Sequence, residues 1–347
     1  MQVGNDETLR TWGNPGVSVI ICCYNSSNRI TETLKHLCLQ KVNNSIAWEV
    51  IVVNNASSDN TSDVAAMAWQ VNSGDTNFKI VNQPIPGLSF ARQKGIEEAK
   101  FDIIIFCDDD NWLCDTYVQT AYGIMTRDAN IGIAGGWCEA GVEGPISNWM
   151  IPFLPALAVG RPANTTSYLA AKGKFVNGAG MIIRKQHYSF IKENGFLSLL
   201  DDRKQNTLSS GGDTELCWVM LFAGREIFFD ELLFFKHFIP PSRLKKDYLL
   251  NLTLSSLYPV IILSIYSFVF QAVPAGFVKF FLKEIILRIY SIFYFTPRMV
   301  FGKYPLYCSV VFRQNIKVLQ LLISKFSSVK NDFNRIRDLR QRLSKNA

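Results

Sequence analysis

Three consecutive carboxylates, Asp108, Asp109 and Asp110, follow the apolar run 103–107 and precede Asn111. Packed this closely they repel one another strongly unless a cation or solvent offsets the charge. A hard divalent ion takes carboxylate oxygens together with phosphate oxygens, so a metal-diphosphate site is the economical reading and an acidic solvated loop the plain alternative. A further carboxylate, Asp213, follows Gly211 and Gly212 and opens an apolar stretch that reads as a helix. The glycines let backbone approach a ligand closely, although a carboxylate at that position also suits an ordinary N-cap. His237, one of three histidines, lies in Lys236-His237-Phe238-Ile239-Pro240-Pro241-Ser242-Arg243 behind an apolar run. It is a candidate to complete a metal site or touch a phosphate, against a satisfied structural histidine. Arg243 is a candidate to meet an acceptor phosphate, against solvated surface.

The elements that position these residues are legible in the apolar pattern. Residues 17–23 form a continuous apolar run that ends in Tyr24-Asn25-Ser26-Ser27-Asn28, a buried strand followed by a loop. Helical spacing follows in Leu34, Leu37 and Cys38. Residues 50–53 repeat the strand signal and end in Asn54-Asn55, with an Ala- and Met-containing helix behind them. Residues 78–81 read as a third strand, 96–100 close another helix, and 103–107 form a fourth strand. Strand-helix alternation of this kind predicts an α/β fold with a mainly parallel sheet. In such sheets ligands sit where the carboxyl ends of the strands open into loops, and Asn25, the cluster Asn54, Asn55 and Asp59, and the aspartate triplet all fall at such ends. Further on, the pattern predicts a short strand at 180–183 and a helix at 213–222.

The composition, 48% hydrophobic and 19% charged, is that of a folded globular chain. The net charge of +7 is unevenly placed. Residues 1–249 hold 22 Lys and Arg against 26 Asp and Glu, or −4, whereas residues 250–347 hold 14 against 3, or +11. No nucleic-acid motif accompanies the basic tail, and its apolar runs favour an anionic membrane as partner. The eight cysteines include no CxxC pair, which predicts reduced, buried thiols rather than disulfides or a zinc site.

Five segments resemble, in order, the signatures of family 2 glycosyltransferases. They are Val17-Ser18-Val19-Ile20-Ile21-Cys22-Cys23-Tyr24-Asn25, Val52-Val53-Asn54-Asn55-Ala56-Ser57-Ser58-Asp59-Asn60-Thr61, Gly87-Leu88-Ser89-Phe90-Ala91-Arg92-Gln93-Lys94-Gly95-Ile96, Phe106-Cys107-Asp108-Asp109-Asp110-Asn111 and Ser210-Gly211-Gly212-Asp213-Thr214-Glu215-Leu216. The fourth looks like the DxD motif and the last like the segment bearing the catalytic base. The resemblance implies an A-type glycosyltransferase fold, Rossmann-like, and an inverting transfer from a nucleotide-sugar donor, a UDP-sugar in the first instance. It implies contacts to the donor from Tyr24, Asn25, Asn54, Arg92, Asp108 and Asp109. It also implies Mg²⁺ or Mn²⁺ held by Asp110, with His237 a candidate for a further ligand or a diphosphate contact. Asp213 is expected to be the base, because an alcohol acceptor is a poor nucleophile until its proton is taken, and Glu215 to orient the acceptor. Two positions depart from the family pattern: Asn54 stands where an Asp is usual, and Gly212 where an acidic residue is usual. Trp137, Trp149 and Trp218 are candidates for stacking on a sugar face, against core packing.

The expected organisation is an N-terminal extension (1–16), a catalytic domain (17–248, with a nucleotide half 17–111 and an acceptor half 112–248) and a helical, basic, membrane-associating region (249–347). Residues 249–273 carry no charge over 25 positions, long enough for a span, yet Pro259 and the hydroxyl-bearing residues also suit a bent pair of helices dipping into one leaflet. Residues 275–295 place Lys279, Lys283, Glu284 and Arg288 on one stripe, expected to face headgroups from a helix in the interface. Monotopic or peripheral attachment at the cytoplasmic side of the plasma membrane is therefore expected, and residues 1–16 have no apolar signal-peptide core. A saccharide or lipid-linked saccharide is the expected acceptor. The competing functions are a nucleotidyltransferase and a non-catalytic membrane scaffold with the same fold. Cys23-Tyr24-Asn25-Ser26 lacks the Gly-rich basic loop of the former, and the absence of GxGxxG argues against a dinucleotide-dependent dehydrogenase.

Overall fold

The computed structural model describes residues 14–72, 76–169, 174–200, 211–271 and 275–347. Most of the expected N-terminal extension and Ser210 of the last motif lie outside them. The first half alternates as predicted: β1 (Val17–Cys23), α1 (Ile30–Cys38), β2 (Trp48–Asn55), α2 (Thr61–Val71), β3 (Asn77–Gln83), α3 (Leu88–Glu98) and β4 (Ile103–Asp108). Next come β5 (Asn111–Leu113), α4 (Tyr117–Arg127), β6 (Ile131–Gly141), a 3₁₀ segment (Asn148–Leu157), β7 (Ser167–Tyr168), β8 (Ile182–Arg184) and α5 (Lys185–Glu193). The chain continues through α6 (Gly212–Phe222), β9 (Glu226–Phe238), α7 (Lys246–Ser255), α8 (Leu257–Gln271), α9 (Phe277–Phe295), α10 (Arg298–Phe301), α11 (Pro305–Ser324) and α12 (Phe326–Asn346).

The strands form one sheet in the order β3-β2-β1-β4-β8-β6-β9-β5, with β7 on β9. Pairings β1–β2, β2–β3, β1–β4 and β6–β9 are parallel, and β8, β5 and β7 join antiparallel, so the sheet is mainly parallel as expected. Continuous apolar strands arise because both faces are covered. Successive side chains point to opposite faces. Thus Ile20, Ile51, Val53, Ile104 and Phe106 pack in the layer that holds α6, α8 and α12. Val19, Ile21, Val50, Val52 and Ile105 pack in the layer with α1 and α4. Cys22 pairs with Asp108 and Cys23 with Asn54, so the ends of β1, β2 and β4 open side by side on one sheet edge.

The expected boundary at 248/249 is not a break in packing. Ile261, Ile262, Ile265, Tyr266, Phe268 and Val269 of α8 are buried in the same core as the sheet, together with Val329, Phe333, Ile336, Leu339 and Leu343 of α12. The α12 residues recur every three or four positions, which puts them on one helix stripe. Each fully buried Ile or Phe stabilises the fold by about 1.5–3 kcal/mol, so withdrawing α8 into a bilayer would strip a large part of the core. Among the described residues no single helix is long and apolar enough to cross a membrane. The bent-pair expectation matches the shape of α7 and α8, which meet at 47° and together pass by length and composition. All eight cysteines are free thiols, five of them buried.

Candidate active site

A cleft of about 670 Å³ opens at the strand ends of β1, β2 and β4 and is closed on its far side by the starts of α6, α7 and α8. Its walls include Tyr24, Arg29, Asn55, Arg92, Asp108, Asp109, Asp110, Asn177, Gly178, Asp213, His237 and Arg243. That volume lies in the range of small-molecule sites, which run from about 300 to 1,000 Å³.

The aspartate triplet divides its work. Asp108 is half-buried at the end of β4, on the cleft wall. Asp109 is buried and accepts from the Ser26 hydroxyl, with the Arg29 guanidinium 2.7 Å away. Burial and the neighbouring Asp110 push its carboxyl up, and Arg29 works against that. Arg29 also donates to the carbonyls of Tyr24 and Asn25, at 3.1 Å each, and so knits the β1 loop to the β4 loop. Asp109 therefore serves chiefly as a brace between these two loops.

Asp110 is buried between an imidazole and a guanidinium. Its Oδ2 lies 3.5 Å from His237 Nε2 and 3.1 Å from Arg243 Nη1. The register of β5 on β9 causes this meeting, since Asn111 pairs with His237 and the Phe238 amide donates to the Asp110 carbonyl at 2.8 Å. Burial opposes ionisation of Asp110, but His237, Arg243 and Arg29 outweigh it and bring its pKa down to about 2. His237 feels the reciprocal effect: burial works against its charge, and Asp110 raises its pKa regardless. Its Nδ1 lies 2.9 Å from the Leu157 carbonyl and can donate to it, which leaves Nε2 toward Asp110.

That donor set fits a divalent ion. A carboxylate oxygen and an imidazole nitrogen oriented by a backbone carbonyl are ordinary ligands for Mn²⁺, and Mg²⁺ usually takes one or two carboxylates plus substrate phosphates. No group of three or more His, Cys, Asp or Glu that could hold a metal is present among the described residues. An ion here needs donor oxygens to complete its shell.

Asp213 sits on the opposite wall. The N-cap of α6 is Gly211, with φ +127°, and no side chain caps the helix, so the N-cap reading of Asp213 does not hold. Its Oδ2 instead accepts from the Gly178 amide at 2.8 Å, and Oδ1 from the Thr214 amide at 2.7 Å. A side chain at Gly178 would place a Cβ 2.9 Å from Arg92 Nη2 and 3.0 Å from Asp213 Cβ. The glycine thus lets Arg92 and Asp213 converge. The Arg92 guanidinium also lies 5.3 Å from the Phe106 ring centre.

Other expected residues fall elsewhere. Asn25, with φ 50°, accepts from the Ser58 amide at 2.8 Å and shapes the loop behind Tyr24. Asn54 donates to Ser62 at 2.7 Å and accepts from the Ser57 amide, outside the cleft lining. Its neighbour Asn55 lines the cleft and clamps the approach to α3, donating to the carbonyls of Gln83 and Ile85 and accepting from the Gly87 amide. Glu215 is the clear correction. It is fully buried, outside the cleft lining, and its carboxylate accepts from Ser198, the Leu199 and Leu200 amides and the Tyr266 hydroxyl. Burial raises its pKa despite these donors. Its role is to tie α6 to α8. Trp137, Trp149 and Trp218 do not line the cleft; Trp218 packs on Phe175 and Phe270, and Arg161 covers Trp137. Sequence reasoning missed Arg29 and Asn177-Gly178, and it placed Asn55 at a strand end without giving it a role. The run Asn177-Gly178-Ala179-Gly180, two glycines just before a strand, was the available signal.

Residues 18–189 match the family model described as Glycosyl transferase family 2. Among curated proteins, the chain is similar to the putative glycosyltransferase EpsH of Bacillus subtilis, 34% identical over 111 residues that cover 31% of this chain and 30% of that protein. It is also similar to poly-beta-1,6-N-acetyl-D-glucosamine synthase of Staphylococcus aureus, 27% identical over 95 residues covering 27% and 22% of the two. The chain thus spans less than a third of the length of these relatives. Among solved structures, S. aureus TarS 1-349 in complex with UDP-GlcNAc aligns with a TM-score of 0.52 at 14% identity, covering 95% of this chain and 91% of that one. That likeness confirms the fold. By the match over residues 18–189, the chain belongs to family 2 of the glycosyltransferases.

Proposed function

We propose that the cleft transfers a sugar from a nucleotide-diphosphate sugar to a hydroxyl of a saccharide or lipid-linked saccharide, with inversion, in the building of a surface glycan. The observation that carries this reading is the convergence, in one cleft, of Asp108, Asp110, His237 and Arg243 on one wall with Asp213 and Arg92 on the other. The nucleotide half is residues 17–111, with Tyr24 and Asn55 at the base and ribose end. The acceptor half is residues 112–248 extended by α7 and α8, because Tyr248, Pro259 and Leu263 wall the cleft. The polymer synthase among the relatives supports a glycan product, and TarS with UDP-GlcNAc makes UDP-sugars the donors to try first.

Asp213 takes the proton of the acceptor hydroxyl. The freed oxygen pair bonds to the anomeric carbon from the face opposite the diphosphate, and the carbon-oxygen bond to phosphate breaks with its electrons leaving on the diphosphate. Opposite-face attack inverts the centre. The Gly178 and Thr214 amides hold the carboxylate in position, and Arg92 and Arg243 offset charge on the departing phosphates. A divalent Mg²⁺ or Mn²⁺ held by Asp110 and His237 supplies further positive charge there when bound. Eight free thiols suit a reducing compartment, and we place the cleft on the cytoplasmic side of the plasma membrane.

The test is a panel of nucleotide-sugars offered to the purified chain with Mn²⁺, Mg²⁺ or chelator, following nucleoside diphosphate release and transfer to saccharide acceptors. Metal-dependent turnover of a UDP-sugar is expected. Synthesis of a nucleotide-sugar from a nucleoside triphosphate and a sugar phosphate would instead establish the nucleotidyltransferase, and donor binding without any turnover the scaffold.

A further inference from the structure

The stripe of charges on α9 splits: Lys279 and Lys283 are exposed, as its sequence implies, whereas Glu284 and Arg288 turn inward. Glu284 is buried and pairs with Arg288 at 2.6 Å, and Arg288 reaches Asn315 of α11 at 3.3 Å, so these two charges face the protein. The outward face is apolar. Val278, Leu282, Ile286 (65% exposed), Tyr290, Phe293 (73%) and, beyond the turn, Phe301 of α10 (88%) stand in solvent at steps of three and four along the helix. Soluble surfaces rarely expose contiguous apolar patches of this kind without a partner.

The charges bordering the patch identify the partner. Lys279, Lys283, Arg298 and Lys303 are all exposed around it, and the only acidic residue from 275 to 304 is the buried Glu284. A two-fold contact between copies of this chain would set the same patch against itself, lysine near lysine with no carboxylate of the patch to pair them. Anionic lipid headgroups supply the missing charge, while acyl chains take the apolar side chains and the tyrosines suit the boundary. We propose that the outward face of α9 and α10 lies in the interface of an anionic membrane leaflet, with α7, α8, α11 and α12 remaining in the protein. This surface is independent of the chemistry in the cleft.

The test uses the full chain with vesicles of equal parts phosphatidylcholine and phosphatidylglycerol, against pure phosphatidylcholine, in co-sedimentation. Binding to the mixed vesicles is expected, and the double variant Ile286→Asp with Phe293→Asp should weaken it roughly tenfold or more. Lys279→Ala with Lys283→Ala should also weaken it roughly tenfold and reduce its salt sensitivity. All four positions are exposed, and circular dichroism melts check that the variants fold. The proposal is overturned if the wild-type chain stays in the supernatant with anionic vesicles, or if the folded Asp variant binds as well as wild type. It is equally overturned if lipid-free sedimentation shows a dimer that the Asp variant dissociates while vesicles go unbound, which would make the occupant a second copy.

Discussion

The two walls of the cleft hold their carboxylates in opposite ways. On the sheet side Asp110 is buried between His237 and Arg243, and its pKa falls to about 2. Across the cleft Asp213 is half-buried and held by the main-chain amides of Gly178 and Thr214. A carboxylate held by an imidazole and a guanidinium stays charged and suits a fixed electrostatic post for a metal and a diphosphate. A carboxylate fixed through amides keeps its orientation while remaining able to accept a proton. The lesson is that the partners each wall supplies set the chemistry of otherwise identical side chains.

The sharpest way to break this comparison is Asp213→Asn. Transfer should fall roughly 10²-fold or more while donor affinity is kept, because asparagine holds the shape but takes no proton. Steady-state kinetics beside calorimetric donor titration reads both, and near-normal turnover would remove Asp213 from the base role. The complementary change, Asp110→Asn, should lower metal-dependent donor affinity roughly 10²-fold. Titrating Mn²⁺ and a nucleoside diphosphate measures it, and an unaltered isotherm would move the ion elsewhere. A smaller effect is expected for Gly178→Ala. The new Cβ collides with Arg92 and Asp213 together, and a shift of some tenths of an ångström should cost roughly tenfold in kcat with the melting temperature little changed.

The smallest effect is a pH dependence of stability. The folded pKa of Asp110 is depressed, so its contribution is present above the ordinary carboxylate value of about 4 and is lost as pH falls toward about 2. The folded pKa of His237 is raised, so its contribution is present below the ordinary imidazole value of about 6.5 and is lost as pH rises through the folded one. Wild type should therefore exceed Asp110→Asn in urea stability by about 1–2 kcal/mol near pH 5.5, and the gap should narrow in acid and in base. A gap that does not vary with pH would mean the two groups do not interact as charges.

Local pattern alone determined much of this protein. Apolar runs ending in Asn or Asp marked β1, β2 and β4, because strands covered on both faces must be apolar throughout and polar residues appear where they emerge. That logic located the cleft and its aspartates, and the two glycines before Asp213 marked the other wall. Only tertiary structure decided the rest. Asp110 meets His237 across 127 positions through the β5–β9 register, and Asp213 meets Gly178 across 35; no short-range spacing encodes either. Glu215 read as an acceptor contact because its neighbour two residues earlier faces the cleft, yet a helix turns about 200° over two positions and carries it into the core. The same geometry governs α9. Its sequence displays an apolar arc and a charged stripe, but that Glu284 and Arg288 turn inward while Lys279 and Lys283 stay in solvent is seen only once α11 has folded back and Asn315 receives Arg288.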